Sequence, residues 1–594
     1  MSDADHLRWD LSTLYAAPDD PALLRDLAAA QDETAAFRGD WQGRLADAQL
    51  SAGELAAALA RYAALQQLAL RPWLYAQLLF AGDGSRSEHL RLLAGVREAW
   101  QGISETLLFF ELELLQLPAA AFARLRAGAE LAPYGHHLDR LRAQAPYTLA
   151  EEVERALQRK DLTGRDAFVQ LFDELCAGLR YRFRLPDEDD ERDVAGEELL
   201  GLLHHPDGTV RERAFTVYLD RHAEQALVLS ACFNNLVLDH GKEVELRGYP
   251  DRMTPTCLAS ETTPAEVEQL LAVSEAHYPL ARRYFALKRE LLGLAELKNT
   301  DLYAPLPGAV RHYPFAQGWA LVMEAFAGFH PGLAAAVAGL PAAGRLDVAP
   351  RPGKSGGAFC LGLYPGAAPF VLLNDTGTLR DVTTLAHELG HAAHYQLAAG
   401  QNLYHYHPPL PLAETASVFG EMLVTRLLLA REDDPRVRIA LLCAKLEEII
   451  ATTFRQAMLT RFEQAVHARR QEGLLTADDL CVLWLEENAR LFGEAVTMIP
   501  AYRFGWSYIS HFIHSRFYCF SYVYGELLVL ALYRRYQQQG AAFAPRYLDL
   551  LRAGGSAPPA ELLRPLGIDL AAPEFWAEGY AVVAELLDEL EELL

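Results

Sequence analysis

A chain of 594 residues, 51% of them hydrophobic, can bury a substantial interior and exceeds what one ordinary core supports, so a multi-lobed molecule without long disorder is expected. Its formal net charge of -25 repels nucleic acid and anionic membranes and excludes both as expected partners. That charge reads as a solvated acidic surface, with an acidic interior suited to basic peptides as the alternative.

The start, Met1-Ser2-Asp3-Ala4-Asp5-His6, lacks a basic segment followed by an apolar run, so no secretory signal is expected. No uncharged apolar stretch approaches the roughly 20 residues that span a bilayer. The longest candidate, Tyr518 to Tyr533, is interrupted by Gly525 and Glu526. Seven scattered cysteines, none in a CxxC pair, suggest neither a thiolate zinc site nor a disulfide framework. The expected setting is a reducing cytoplasm; the sequence gives no oligomeric state.

Along the chain, residues 1 to about 185 carry helical spacing, as in Leu55 to Leu70 and Leu90 to Leu117, with breaks at Pro118, Pro133 and Pro146. The acidic run Asp187 to Glu191 predicts an exposed loop and a boundary between an N-terminal helical lobe, 1–190, and a second region, 191–594. Helices resume from Glu197 to about Phe329. Between 339 and 376, prolines punctuate short apolar runs such as Ala358 to Leu361 and Phe370 to Leu373, which predict a small sheet. Helical patterns then continue to the end, so the fold class is mainly α.

Thr378 and Asp381 have the spacing of a capping box that starts a helix, and Gly400 would end it. On that helix lies His387-Glu388-Leu389-Gly390-His391. Two imidazoles four residues apart share one face and can meet a single zinc ion at about 2.0–2.1 Å. Glu388 is directed beside the metal, where it can take a proton from zinc-bound water. A buried helix with two satisfied histidines is the bland alternative. His394 lies about 10 Å from His387 along the axis, too far to share one ion, and reads as a packing or hydrogen-bonding histidine. No acidic residue occurs between His391 and Glu414. Glu414, at the start of a second helix after the Pro408 to Pro411 loop, is therefore the expected third ligand, with a fourth position left for water. Glu421, seven residues on, either fixes the tautomer of a ligating imidazole or belongs to a solvated pair.

With Leu385 to His394 and Leu412 to Ser417 in view, the chain resembles oligoendopeptidase F, in the thimet-oligopeptidase-like clan of zinc peptidases. Gly353 to Ala358 and Phe370 to Asn374 resemble the strand region before that family's zinc helix. Weaker matches are Trp9 to Ser12, His511-Phe512 with Phe517-Tyr518, and Ala553 to Ser556. The resemblance implies two helical lobes enclosing a deep channel, with a small β-sheet beside the zinc helix, and a zinc metalloendopeptidase limited to oligopeptides. It implies one zinc ion per chain on His387, His391 and Glu414, with Glu388 as general base and acid. The strand near Gly356 to Cys360 would hold substrate backbone by strand addition. A late segment supplies the oxyanion donor in such enzymes, and His511, Tyr518 and Tyr522 are its candidates here. Relatives commonly carry Tyr where this chain has Phe520, so the register of the tyrosines is open, and core packing is the alternative for each. Two rival functions carry the same ligands: a zinc carboxypeptidase-type exopeptidase, and a non-catalytic zinc-stabilised peptide-binding protein.

Overall fold

The computed structural model describes residues 7–186, 188–306 and 311–594. The start read for a signal, residues 1–6, and Asp187 of the acidic run lie outside the described residues. Helix accounts for 71% of the chain and strand for 3%, as expected of a mainly α fold. The chain divides into two compact units, each assembled from separated stretches.

The first unit comprises Met1–Thr148, Val310–Arg431 and Arg535–Asp569. Its first three long helices are Pro21–Trp41, Ala52–Gly82 and Ser87–Gln116. Ser51 and Glu54 form the capping box that starts the second, each side chain satisfying the other's backbone amide. Phe37, Tyr62 and Phe110 interlock between these helices, with ring centroids 5.1 Å (Phe37–Phe110) and 5.2 Å (Tyr62–Phe110) apart. Stacked and edge-on contacts of this kind bury large areas with defined geometry. The expected breaks fall where prolines act: Pro118 caps Ala119–Arg126, while Pro133 and Pro146 sit in the 3-10 turns Ala129–Tyr134 and Ala145–Tyr147.

The predicted sheet lies in this unit. Phe370–Leu372 is its central strand, parallel to Leu346–Asp347 and antiparallel to Phe359–Leu361, which leaves Phe359–Leu361 as an edge. A buried ion network ties the sheet to the glycine-rich loop before that edge. Asp347, inaccessible to solvent, receives the guanidinium of Arg351 (2.6 Å) and the ammonium of Lys354 (2.8 Å). Lys354 also donates to the carbonyls of Ala349 and Leu373. Asn374 donates to the carbonyls of Ser355 and Gly357, and the positive φ of Gly357 lets the loop turn there.

The second unit comprises Leu149–Ala309, Glu432–Arg534 and Leu570–Leu594. After the helices Glu151–Asp161 and Arg165–Gly178 comes a hairpin, Tyr181–Phe183 against Arg192–Val194, whose exposed tip carries Glu188 to Glu191. Sequence reading gave the loop but missed the strands, because three-residue strands flanked by charges show no sustained alternation. The helices Ala226–Arg247, Phe454–Arg470 and Ala477–Phe492 enclose an aromatic core. Phe512 stacks on Phe233 at 5.6 Å and meets Phe462 at 5.2 Å, and Trp484 meets Phe462 edge-on at 5.3 Å. The apolar stretch Tyr518 to Tyr533 falls mainly within the Phe520–Gln539 helix, where even Glu526 is buried. No single helix among the described residues is long and apolar enough to cross a membrane.

Candidate metal centre

The helix Leu379–Leu397 starts as expected. The Thr378 hydroxyl accepts from the Asp381 amide, and the Asp381 carboxylate accepts from the Thr378 amide at 2.8 Å. Periodicity then places His387 and His391 on one face, with their Nε2 atoms 3.2 Å apart. Glu414 terminates the short helix Leu410–Ala413, and its Oε2 lies 3.4 Å from each of those nitrogens. The three form the one group of metal-capable side chains among the described residues whose donor atoms converge within 4.8 Å.

These spacings fit a metal ion. A tetrahedral site with bonds of about 2.0–2.1 Å has donor–donor edges of about 3.3–3.4 Å. The triangle of 3.2, 3.4 and 3.4 Å is therefore one face of such a tetrahedron, drawn from two nitrogens and one oxygen. All three side chains are half-buried.

Two further residues hold the triangle in shape. Glu421, buried on the helix Ser417–Arg431, meets Nδ1 of His387 at 2.5 Å and so leaves the Nε2 lone pair to face inward. Ser417 donates its hydroxyl to Glu414 Oε2 at 2.6 Å. The Glu421 contact, like the reach of Glu414 to the histidines, needs the two segments in close approach, which glycines permit. A Cβ on Gly390 would lie 2.4 Å from the Ala416 carbonyl and 2.5 Å from Ser417 Cα, and one on Gly420 would lie 3.0 Å from the Ala386 carbonyl. Sequence reading missed this role of Gly390 and Gly420; a glycine in a helix interior was the available signal.

Electrostatics separates the carboxylates. Burial opposes ionisation of Glu414, but its bond to His391 and the charges of both imidazoles hold it at about 2, so it stays anionic. Glu388 is 6% exposed and goes the other way: burial raises its pKa, and the charges of Glu414 and Glu421 add to the rise against the histidines. Burial, the largest single influence, would lower His387, but the bond to Glu421 and the charges of Glu421, Glu414 and Glu388 together outweigh it and raise the metal-free imidazole to about 9. Burial, then the charge of Glu388, push the Cys360 thiol on the edge strand well up, which keeps it protonated. His394 is buried, pushed down to about 3 by burial, and lies outside the converging group.

His511, Tyr518 and Tyr522 belong to the second unit and form one half-buried cluster. His511 Nε2 lies 3.2 Å from the Tyr522 hydroxyl, the His511 and Tyr518 rings are 6.0 Å apart, and Tyr518 and Tyr522 meet edge-on at 5.3 Å. Phe520 is fully buried.

Comparison with known proteins places this architecture. Residues 201–582 match the model of peptidase family M3, and residues 113–181 match that of oligopeptidase F. A homologue of oligoendopeptidase F from Lactococcus lactis subsp. lactis (strain IL1403) is 26% identical over 596 residues, spanning 99% of this chain and 98% of that protein. Oligopeptidase PepF of Bacillus subtilis (strain 168) is 26% identical over 599 residues, spanning 99% and 87%. The oligoendopeptidase-F structure from Enterococcus faecium superimposes with a TM-score of 0.70 at 23% identity, covering 96% of this chain and 97% of that one, a likeness of fold. The family M3 match takes in more than half of the sequence, so the chain belongs to peptidase family M3 and is a metallopeptidase.

Proposed function

We propose that the chain is a zinc endopeptidase of short peptides, with one zinc ion held by His387, His391 and Glu414 and with Glu388 as general base and acid. The observation that carries this reading is the donor triangle with a buried carboxyl, Glu388, on the same helix as its two histidines. Zinc bound there would supply Lewis acidity, polarising a peptide carbonyl and lowering the pKa of a water.

The remaining work falls to side chains. Glu388 takes the proton of the attacking water and returns it to the leaving amine, and the burial that raises its pKa strengthens it as a base. Glu421 fixes the His387 tautomer, and Ser417 steadies Glu414. The open edge of Phe359–Leu361 offers unpaired backbone groups to an extended peptide, which supports strand addition. Donation to the developing oxyanion by His511, Tyr518 or Tyr522 is carried by the resemblance and by their shared cluster.

Restriction to oligopeptides in an enclosed channel rests on the resemblance and on the relatives' names. The division near residue 190 belongs to the same proposal as a division of sequence regions, distinct from the two interleaved compact units, and is supported by the family M3 match, which begins at residue 201. The cysteines are free, which suits the proposed cytoplasmic setting. Cleavage of an internally quenched peptide blocked at both ends tests the reading. Internal cuts are expected; trimming of unblocked termini alone would favour an exopeptidase, and no hydrolysis by the zinc-loaded chain would favour a peptide-binding protein.

A further inference from the structure

Phe517 sits immediately before Tyr518 with φ of +53°, in the left-handed region that a bulky side chain rarely adopts. Its ring is buried, packed on His467 at 4.5 Å and His240 at 5.9 Å. Strain of this kind persists only where the surroundings over-determine it, and it concentrates at functional sites. Three contacts fix the turn. The Arg516 guanidinium folds back to donate to the Ile513 carbonyl at 2.7 Å, and the Thr256 hydroxyl donates to the Arg516 carbonyl at 2.9 Å. The Phe517 amide donates to Glu463 Oε1, also at 2.9 Å.

Glu463 is an unusual residue for that task. It lies on the helix Phe454–Arg470 with no solvent exposure, and its Oε2 makes no hydrogen bond. A buried carboxyl with no hydrogen-bonded counter-charge is costly, and one that accepts a single backbone amide gives little stability in return. The beneficiary is the segment on either side of the turn. His511 begins the short helix before it, and Tyr518, whose carbonyl accepts from the Ser521 amide, leads into the helix that carries Tyr522.

We propose that Glu463 is a positioning residue, which by accepting the Phe517 amide holds the left-handed turn that orients Tyr518 and His511. This inference rests on the reading of those two side chains as oxyanion donors. A glutamate is not required in its ionised form: an uncharged oxygen at the same place accepts the same amide. Glutamine should therefore substitute for it, and an apolar isostere should not.

The test measures kcat, KM and zinc content on the full zinc-loaded chain with a doubly blocked, internally quenched peptide. Glu463→Gln is expected to keep kcat within about threefold of the parent. Glu463→Leu is expected to lower kcat by about 30- to 100-fold, the scale of an ångström-level misplacement, with KM and zinc content nearly unchanged. Adding Tyr518→Phe to Glu463→Leu should cost much less than Tyr518→Phe costs alone, because both changes remove one interaction. Thr256→Val, a milder release of the same turn, should lower kcat by about three- to tenfold and serves if the leucine variant does not fold. The inference is overturned if Thr256→Val and Glu463→Leu turn over like the parent while His511→Ala or Tyr518→Phe does not. It is also overturned if the Glu463 and Tyr518 losses simply multiply. If His511→Ala, Tyr518→Phe and Tyr522→Phe are all neutral, the oxyanion reading itself has failed, and the positioning role fails with it.

Discussion

His387 and Glu421 stand 34 residues apart in sequence and meet through an Nδ1–Oε1 contact of 2.5 Å between two crossing helices. The contact fixes the imidazole so that Nε2 faces His391 Nε2 and Glu414. Removing the carboxylate by Glu421→Ala frees the ring and leaves its Nδ1 without that partner. Zinc affinity is expected to fall by about 10- to 100-fold. Competition with a chromophoric chelator measures it, and an affinity equal to the parent's would exclude the orienting role.

Glu388 is buried beside the donor triangle but outside it, so metal binding and catalysis should separate there. Glu388→Gln keeps shape and hydrogen bonding while abolishing proton transfer. Full zinc occupancy with hydrolysis lowered by about 10²- to 10⁴-fold is expected. Metal analysis paired with peptide turnover checks both halves. A glutamine variant that cuts peptides at the parent's rate would remove Glu388 from the mechanism.

Gly390 is where packing and chemistry meet. Its missing side chain lets the motif helix press against Ala416 and Ser417, close enough for Glu414 and Glu421 to reach the histidines. Gly390→Ala raises local helix propensity yet drives a methyl group into backbone atoms, and the clash outweighs the gain. A loss of about 1–3 kcal/mol in stability and weaker zinc binding are expected together. Denaturant unfolding with and without zinc measures both. A variant as stable as the parent would show that the helices can part without cost.

How much of this was legible in the sequence follows from how local each contact is. His387, Glu388 and His391 lie within one helical turn, so periodicity alone gave their arrangement. Glu414 was reached by elimination, since no other acidic residue intervenes after His391. Glu421 stayed open because its burial depends on where one helix crosses another, which no single segment encodes. The same holds for Gly390 and Gly420, and for the two compact units, whose stretches interleave along the chain. Phe517 and Glu463 gave no signal at all: nothing in the letters marks a left-handed phenylalanine or a core carboxyl 54 residues away.

Glu463 should also make stability depend on pH. Burial pushes its carboxyl up from 4.5 to about 8, against the Phe517 amide bond and the charge of Arg516. Of the other titratable groups at hand, His467 is driven well below its ordinary value by burial and stays neutral, and the Cys519 thiol is raised by burial and then by the charge of Glu463 and stays protonated. Between those two values the folded chain keeps a proton that the unfolded chain releases. The contribution is therefore fully present below about pH 4.5 and is lost as pH rises toward about 8. Glu463→Gln mimics the protonated form and does not titrate. Its melting temperature relative to the parent should rise between about pH 5 and about pH 8, whatever the offset at the acid end. Paired thermal melts across that range measure the difference. A difference that stays constant would mean that Glu463 is already ionised in the folded protein, and its oxygen would then meet the Phe517 amide as a buried anion.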